Sequence, residues 1–373
     1  MKIVIVGAGV AGLSIGWRLA QSGAQAVVLE RAQPGRGATW AAGGMIAPLA
    51  EYGMTDSPDA RLAWQSAAIW PRFAEEIEAA SARAIGFHCG GSLTIAHAAK
   101  TLEAFSTRAT EKASILSPAE ARNRAPLLAD DIAGALWAPE DAQVDNRALG
   151  PALATAFVRA GGTLQTNEAA VLFEIHKGRI LGVRTPFAFY EGDAYVIAAG
   201  AWSGAFSSLP PEVIPPVLPV KGEMIALTAP AEVRISIPIV WGEGIYLVPR
   251  HGQIFAGATE SREGFDTSLT AMAEARLFEA ACSLMPALRR WEIAEHWAGL
   301  RPGSPDDLPI LGETSMAGLF VASGQYRNGI LLAPSIAEAL CRLVMERGAP
   351  PEIAAFDPKR FHSRAVEEGS VVQ

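Results

Sequence analysis

The chain has 373 residues, of which half are hydrophobic, 19% are charged and 36 are glycine. That length suits two domains rather than one small core, and the composition excludes an intrinsically disordered protein. A formal net charge of −8, with no basic run, argues against nucleic acid as a main partner. The three cysteines, Cys89, Cys282 and Cys341, are odd in number and widely spaced, so a reducing compartment is expected instead of a disulfide framework. The six histidines form no HExxH or Cys/His cluster, and no bound metal is expected. No apolar stretch approaches the roughly 20 residues of a membrane span, so stable membrane insertion is not expected. A strand read from Lys2 leaves no space for a signal peptide, and the expected location is the cytoplasm.

The opening segment, KIVIVGAGVAGLSIGWRLAQSGAQAVVLER, reads as strand, helix, strand over Ile3–Val6, Val10–Ser22 and Ala26–Glu30. Such continuous apolar runs suit parallel strands buried on both faces. Gly7, Gly9 and Gly12 form GxGxxG between the first strand and the helix. Glycines so placed give a tight turn, close approach to a pyrophosphate and close helix–strand packing. Val10 and Ala11 then open a helix whose positive end faces phosphate. Glu30 ends the second strand, where an acidic side chain accepts from ribose hydroxyls. Arg31 has two readings, a partner for the 2′-phosphate of NADP and, in preference, a solvated surface arginine. Together these features mark a dinucleotide site. Only one is found, which leaves an NAD dehydrogenase or a flavin oxidase that draws electrons from its substrate.

After the small-residue stretch GRGATWAAGGMIAP, helix is expected from about Ala60 to Ala82, a strand in FHCGGSLTIA, a short helix over Leu102–Glu111 and a capped turn in LSPAEARNRAP. VDNRALGPALATAFVRAGG predicts an amphipathic helix from Asp145 to Gly161, and AYVIAAGAWS a strand entering a tight turn. From Pro219 to His296 the pattern becomes antiparallel, with strands in KGEMIALT, GIYLVPR and QIFAGATE, a hairpin at RHGQ, and a helix from about Thr270 to Leu288. A strand near Leu319 and a helix from Asn328 to about Arg347 close the chain. The order implies an α/β nucleotide-binding domain of three segments, 1–82, 142–216 and 296–373, interleaved with a β-rich domain, 83–141 and 217–295. Glu140 and Asp141 read as a solvated turn, His296 as a hydrogen-bonded strand histidine, and Trp40 and Trp241 as packing, though both fall near the expected substrate walls.

GQYRNGILLAP, residues 324–334, sets Arg327 and Asn328 beside an apolar run. A buried guanidinium needs an anion. For Arg327 and Arg301 that anion is either an internal carboxylate, such as Asp306 or Asp307, or one carried by a ligand. The residues alone leave both open.

The motifs ATWAAGGMIAP, VDNRAL, AAGAWS, PVKGEMIAL, GIYLVPR, FAGATE, WAGLRPGSPDDLPILG and GQYRNGILLAP span most of the chain. In them the chain resembles the D-amino-acid-oxidase-type flavoproteins, most closely the glycine oxidases of thiamine synthesis. The resemblance implies a glutathione-reductase-like, Rossmann-type domain for FAD and an interleaved antiparallel-sheet domain for substrate. The FAD is expected to be noncovalent, since no cysteine lies near the expected attachment region. Ala38, Thr39, Ala42, Gly43 and Gly44 match a stretch that wraps the flavin and pyrophosphate, with Met45 close to the isoalloxazine and substrate. Val171 matches a backbone position against adenine, and Ala199, Gly200 and Trp202 a turn closing over the nucleotide. Arg301, Tyr246 and Arg327 match residues that hold a substrate carboxylate at the flavin. By itself Tyr246 reads as half-buried strand packing. Asn328, Gly329, Ile330 and Leu331 match the start of a helix aimed at the pyrimidine edge of the flavin. The implied reaction is oxidative deamination of glycine, sarcosine or D-alanine to an oxo acid, ammonia and hydrogen peroxide, with oxygen as co-substrate. A D-amino-acid dehydrogenase using another acceptor is the alternative, and a homo-oligomer is left open. Two departures stand out: Gln325 replaces a histidine, and Asn146 a proline, the latter read as a local difference at a helix start.

Overall fold

The computed structural model describes residues 1–346, 348 and 350–361. One layer is a six-stranded sheet in the order Ile310–Glu313, Leu319–Ser323, Ala194–Ile197, Lys2–Val6, Gln25–Glu30, Thr163–Thr166. Five of these strands run parallel and Ile310–Glu313 is antiparallel at one edge. Alternate side chains of a strand face opposite sides, and both sides are covered here. Ile3, Ile5, Ala26 and Val28 pack under the helices Val10–Gln21, Asn146–Arg159, Pro58–Ser81 and Ala333–Glu346. Val4, Val6, Val27 and Leu29 pack against Phe173 and Val183, which belong to a small antiparallel sheet of Leu172–His176, Arg179–Arg184 and Phe189–Tyr190. That double cover explains the unbroken apolar runs in the first 30 residues.

The second layer is an eight-stranded sheet in the order Glu292–Gly303, Leu218–Thr228, Gln253–Gly257, Ile245–Arg250, Ile239–Gly242, Ser92–Ala96, Gly134–Ala138, Ser114–Leu116. One face buries Ile225, Leu247 and Ile254 against the helix Ala271–Leu284. The other turns Met224, Trp241, Val248 and Phe255 toward Ala41 and Ala47 of the first layer. The hairpin at His251-Gly252 has φ of 48° and 77°, the pair of positive values that a two-residue hairpin turn needs. Glu292–Gly303 pairs with Leu218–Thr228, with one register shift that skips Ala294, and the strand continues through position 296.

Several element ends differ from the sequence expectation. The helix expected to reach Leu288 stops at Leu284, because Pro286 keeps Met285 out of the helical region, at φ −136° and ψ 89°. The last regular helix starts at Ala333, not Asn328. Pro334 has no N–H to give to Ile330, so 328–332 form irregular turns before the ladder begins. Its expected end at Arg347 lies outside the described residues. The short helix near Leu102 occupies Ala99–Ala104, followed by one tighter turn. The strand Thr163–Thr166 and the three-stranded sheet carried no clear alternation and were not expected.

Candidate active site

A cavity of about 830 Å³ opens where the two layers meet, at the carboxyl ends of the parallel strands. In open α/β sheets this is where ligands bind. At Gly7 the backbone has φ of +107° and a Cβ would collide with the Ala198 carbonyl, so only glycine fits. Gly12 also has no space for a Cβ, which would run into the Gly7 carbonyl. Gly12 is therefore a packing residue and, unlike Gly7, Gly9, Val10 and Ala11, does not line the cavity. Gly9 differs again: an added Cβ would touch only Thr39 Oγ1, at 3.6 Å. Thr39 Oγ1 accepts from the Val10 amide at 2.9 Å and ties the following loop to the helix start. The Glu30 carboxylate reaches the cavity and accepts from the amides of Ala8 (2.9 Å) and Ala32 (3.0 Å). Arg31 is not simply solvated. Its guanidinium lies 3.5 Å from the centre of the Trp202 ring, whose stacking partner is Phe265. Val171, Ala199 and Gly200 line the same wall, with Val171 more than half exposed.

The stretch from Ala38 to Met45 forms the next wall. Its shape is held from behind by Arg250, only 8% exposed, which donates to Gly43 O (3.0 Å), Val144 O (2.8 Å) and Asn146 Oδ1. Burial pushes the Arg250 pKa down to about 10, against the pull of Asp145. Asn146 completes the brace by donating to the carbonyls of Thr39 (2.9 Å) and Trp40 (2.8 Å). Asn146 thus does more than start a helix. Arg250 had a signal in the sequence, an arginine at the end of an apolar strand motif, but nothing there named its partners.

At the opposite part of the cavity lie Met45, Glu51, Trp241, Tyr246, Arg301, Gln325, Tyr326 and Arg327. Tyr246 is more than packing: its hydroxyl is 3.5 Å from Met224 Sδ, and its pKa is raised by burial despite Arg301 and Arg327 nearby. Arg301 donates to the carbonyls of Lys221 (3.3 Å) and Thr259 (3.1 Å). Neither expected aspartate serves these arginines, since Asp306 pairs with Arg360 at 2.9 Å. The anion facing Arg327 is Glu51, at 3.3 Å, and the Arg327 side chain is 43% exposed rather than buried. Burial opposes its charge, yet Glu51 with the hydroxyls of Tyr246 and Tyr326 holds its pKa above the ordinary value. Burial, followed by Glu260, pushes the Tyr326 hydroxyl up to about 12. Trp241 lines the cavity, whereas Trp40 packs edge-on against Trp297. His296 is away from it, 2.8 Å from Glu223 and 3.2 Å from Glu274.

A family model described as FAD dependent oxidoreductase matches residues 2–343. The chain belongs to this family. Within it, the glycine oxidase of Geobacillus kaustophilus is 34% identical, with 96% of each chain covered. Its crystal structure superposes with a TM-score of 0.89 at 33% identity, covering 96% of this chain and 99% of that one. The bifunctional protein ThiO/ThiG of Trichormus variabilis is 35% identical over 97% of this chain, which spans only 55% of that longer protein. The iminodiacetate oxidase of Chelativorans sp. BNC1 has a TM-score of 0.87 at 26% identity.

The residues present fit FAD. Gly9 leaves space that any side chain would fill. Two buried donors on the cavity wall, Trp241 Nε1 and Gln325 Nε2, have no protein partner among the described residues. The amides of Gly43, Gly44, Gly329 and Ile330 also lack one among those residues. Buried donors of this kind are costly unless a ligand or water meets them. Asn328, Gly329 and Ile330 line the cavity as expected, but Leu331 does not. It is 1% exposed in the helical core, where its carbonyl accepts from Trp70 Nε1 at 3.0 Å. Asp141 corrects another expectation: it is 1% exposed, accepts from Ser92 at 2.6 Å, and is not part of a solvated turn. Nothing in the sequence pointed to Glu51, a single carboxylate beside Leu49, Ala50 and Tyr52 that belongs to no recognised motif.

Proposed function

We propose that the chain is an oxidase of small amino acids, with glycine the first substrate and sarcosine and D-alanine next, and with oxygen as acceptor. The observation that carries this is Arg301. It is a permanent cation on the cavity wall whose partners are two carbonyls and the Tyr246 hydroxyl, with no protein carboxylate within ion-pair distance among the described residues. A substrate carboxylate supplies the missing anion through two parallel N–H donors. The glycine oxidase relative supports the choice of glycine.

Bound FAD supplies the two-electron acceptor and the reaction with oxygen. Gly9, the amides of Val10 and Ala11, and Glu30 would hold its nucleotide part; Gly43, Gly44, Met45, Gln325, Gly329 and Ile330 would hold its ring. The three cysteines do not line the cavity, in keeping with noncovalent binding. Arg301 binds the substrate carboxylate and fixes its orientation, which is the main catalytic contribution of this wall. Tyr246, kept protonated by burial, remains a hydrogen-bond donor at neutral pH. Trp241 and Met224 exclude water from the same region. No side-chain base is assigned, since His296 is engaged with Glu223 and Glu274. The same proposal takes 1–82, 142–216 and 296–373 as the FAD-binding domain and 83–141 and 217–295 as the substrate domain.

The experiment is anaerobic mixing of the purified holoenzyme with glycine while visible flavin absorbance is followed, then admission of air. Bleaching on mixing and peroxide on aeration are expected; bleaching that oxygen does not reverse, though an artificial dye does, would replace the oxidase with a dehydrogenase. Arg301→Ala should lower kcat/KM by about 10–150-fold, the equivalent of about 1.5–3 kcal/mol for a hydrogen bond to a charged group, mainly through KM. FAD should remain bound. Unchanged kinetics would remove Arg301 from substrate binding.

A further inference from the structure

We infer that Glu51 sets the charge class of the substrate: it occupies Arg327, so that the site takes amino acids with one carboxylate and refuses dicarboxylates. This rests on the proposal that Arg301 receives the amino-acid carboxylate. The two arginines are not equivalent. Arg327 NH2 lies 3.3 Å from Glu51 Oε1, whereas Arg301 has two carbonyls and the Tyr246 hydroxyl as partners and no carboxylate among the described residues.

The Glu51–Arg327 pair is held in register by its neighbours. Asn328 donates to the Tyr52 hydroxyl at 2.8 Å, so two adjacent residues of one segment meet two adjacent residues of the other. The short helix Pro48–Tyr52 is itself anchored. Arg108 donates to the carbonyls of Leu49 and Ala50, and buried Asp141 receives support from the backbone of the same two residues. The Glu51 side chain is only 14% exposed, so its charge is less screened than a surface carboxylate's. Glu260 and Arg276 also line the cavity, but both are exposed and oppose each other in sign.

The inner charges are therefore two guanidiniums and one carboxylate, and one substrate carboxylate balances them. A second carboxylate would face Glu51 or have to displace it from Arg327. Like charges brought together in a partly buried site discriminate strongly between ligands.

The test uses oxidised holoenzyme and two unreactive probes, acetate and malonate, titrated against the flavin's visible spectrum, so that no turnover is needed. Wild type should bind malonate at least tenfold more weakly than acetate. Glu51→Gln should tighten malonate at least tenfold and change acetate less than threefold; E51Q/R327M should lose that gain. Wild-type affinities within threefold of each other would overturn the inference without any variant, as would an unchanged acetate-to-malonate ratio in Glu51→Gln. Failure of both probes to bind wild type and variant would instead overturn the carboxylate site at Arg301, and the inference with it.

Discussion

Replacing Arg250 tests whether the cavity wall is held from behind. Arg250→Met keeps most of the side-chain volume but removes the donors to Gly43 O, Val144 O and Asn146 Oδ1. Each buried acceptor left without a partner costs about 1–3 kcal/mol. Part of that is offset because a charge no longer has to be buried, a burden visible in the lowered Arg250 pKa. The net loss expected is about 3–5 kcal/mol, within the range for breaking a buried charged network. The wall from Ala38 to Met45 would then be less ordered before ligand arrives, and FAD affinity should fall at least tenfold, since ordering must be supplied on binding. Urea unfolding of the apoprotein gives the first quantity; quenching of FAD fluorescence on titration into apoprotein gives the second. Arg250→Lys, with fewer donors and the same charge, should fall between. If Arg250→Met apoprotein stayed within about 1 kcal/mol of wild type and bound FAD equally well, the bracing role would be refuted.

The glycines of the first turn should separate fold from ligand. Gly9→Ala should leave apoprotein stability within about 1 kcal/mol, because its φ of −74° suits alanine and its Cβ meets no backbone, but should weaken FAD binding at least tenfold. Gly12→Ala should cost about 2–4 kcal/mol of apoprotein stability through collision with the Gly7 carbonyl; similar behaviour of the two variants would contradict their assignments. Asp141 predicts a pH dependence. Burial pushes its pKa to about 7, above the ordinary carboxylate value, so the folded chain keeps a proton that the unfolded chain releases. Its stabilising contribution is full below about pH 4 and is lost as pH rises through 7; from pH 5 to 7 the loss is about 2–3 kcal/mol. Urea midpoints of wild type and Asp141→Asn should converge or cross over that interval, whereas parallel profiles would place the Asp141 pKa outside it.

The nucleotide end of the site was readable because each of its requirements has a local signature. A turn that admits only glycine, a helix start and an acidic strand end all fall within the first 30 residues. The family motifs then brought Tyr246, Arg301 and Arg327 to one cavity. What the sequence could not give was pairing across long separations. Arg327 and Glu51 are 276 residues apart, so the identity of the anion depended on how two layers meet. Asp141 looked solvated for the same reason, since its partners Ser92 and the turn after Pro48 come from distant segments. The last helix was misplaced by a local effect that was visible, the missing N–H of Pro334, but an apolar run weighed more than a single proline.

The order of strands in the six-stranded sheet also bears on how the enzyme is made. Lys2–Val6 precedes the other strands of this sheet in the chain, yet it lies between Gln25–Glu30 and Ala194–Ile197, and the latter in turn pairs with Leu319–Ser323. The glycine turn therefore waits for segments far along the chain before its cavity has a second wall. Contacts of such separation close slowly and leave strand edges uncovered meanwhile. The cavity lining comes from all of these segments, so a ligand that fills it favours the finished arrangement. Holoprotein should therefore resist urea and proteolysis better than apoprotein, by a margin that grows as free FAD rises above its dissociation constant.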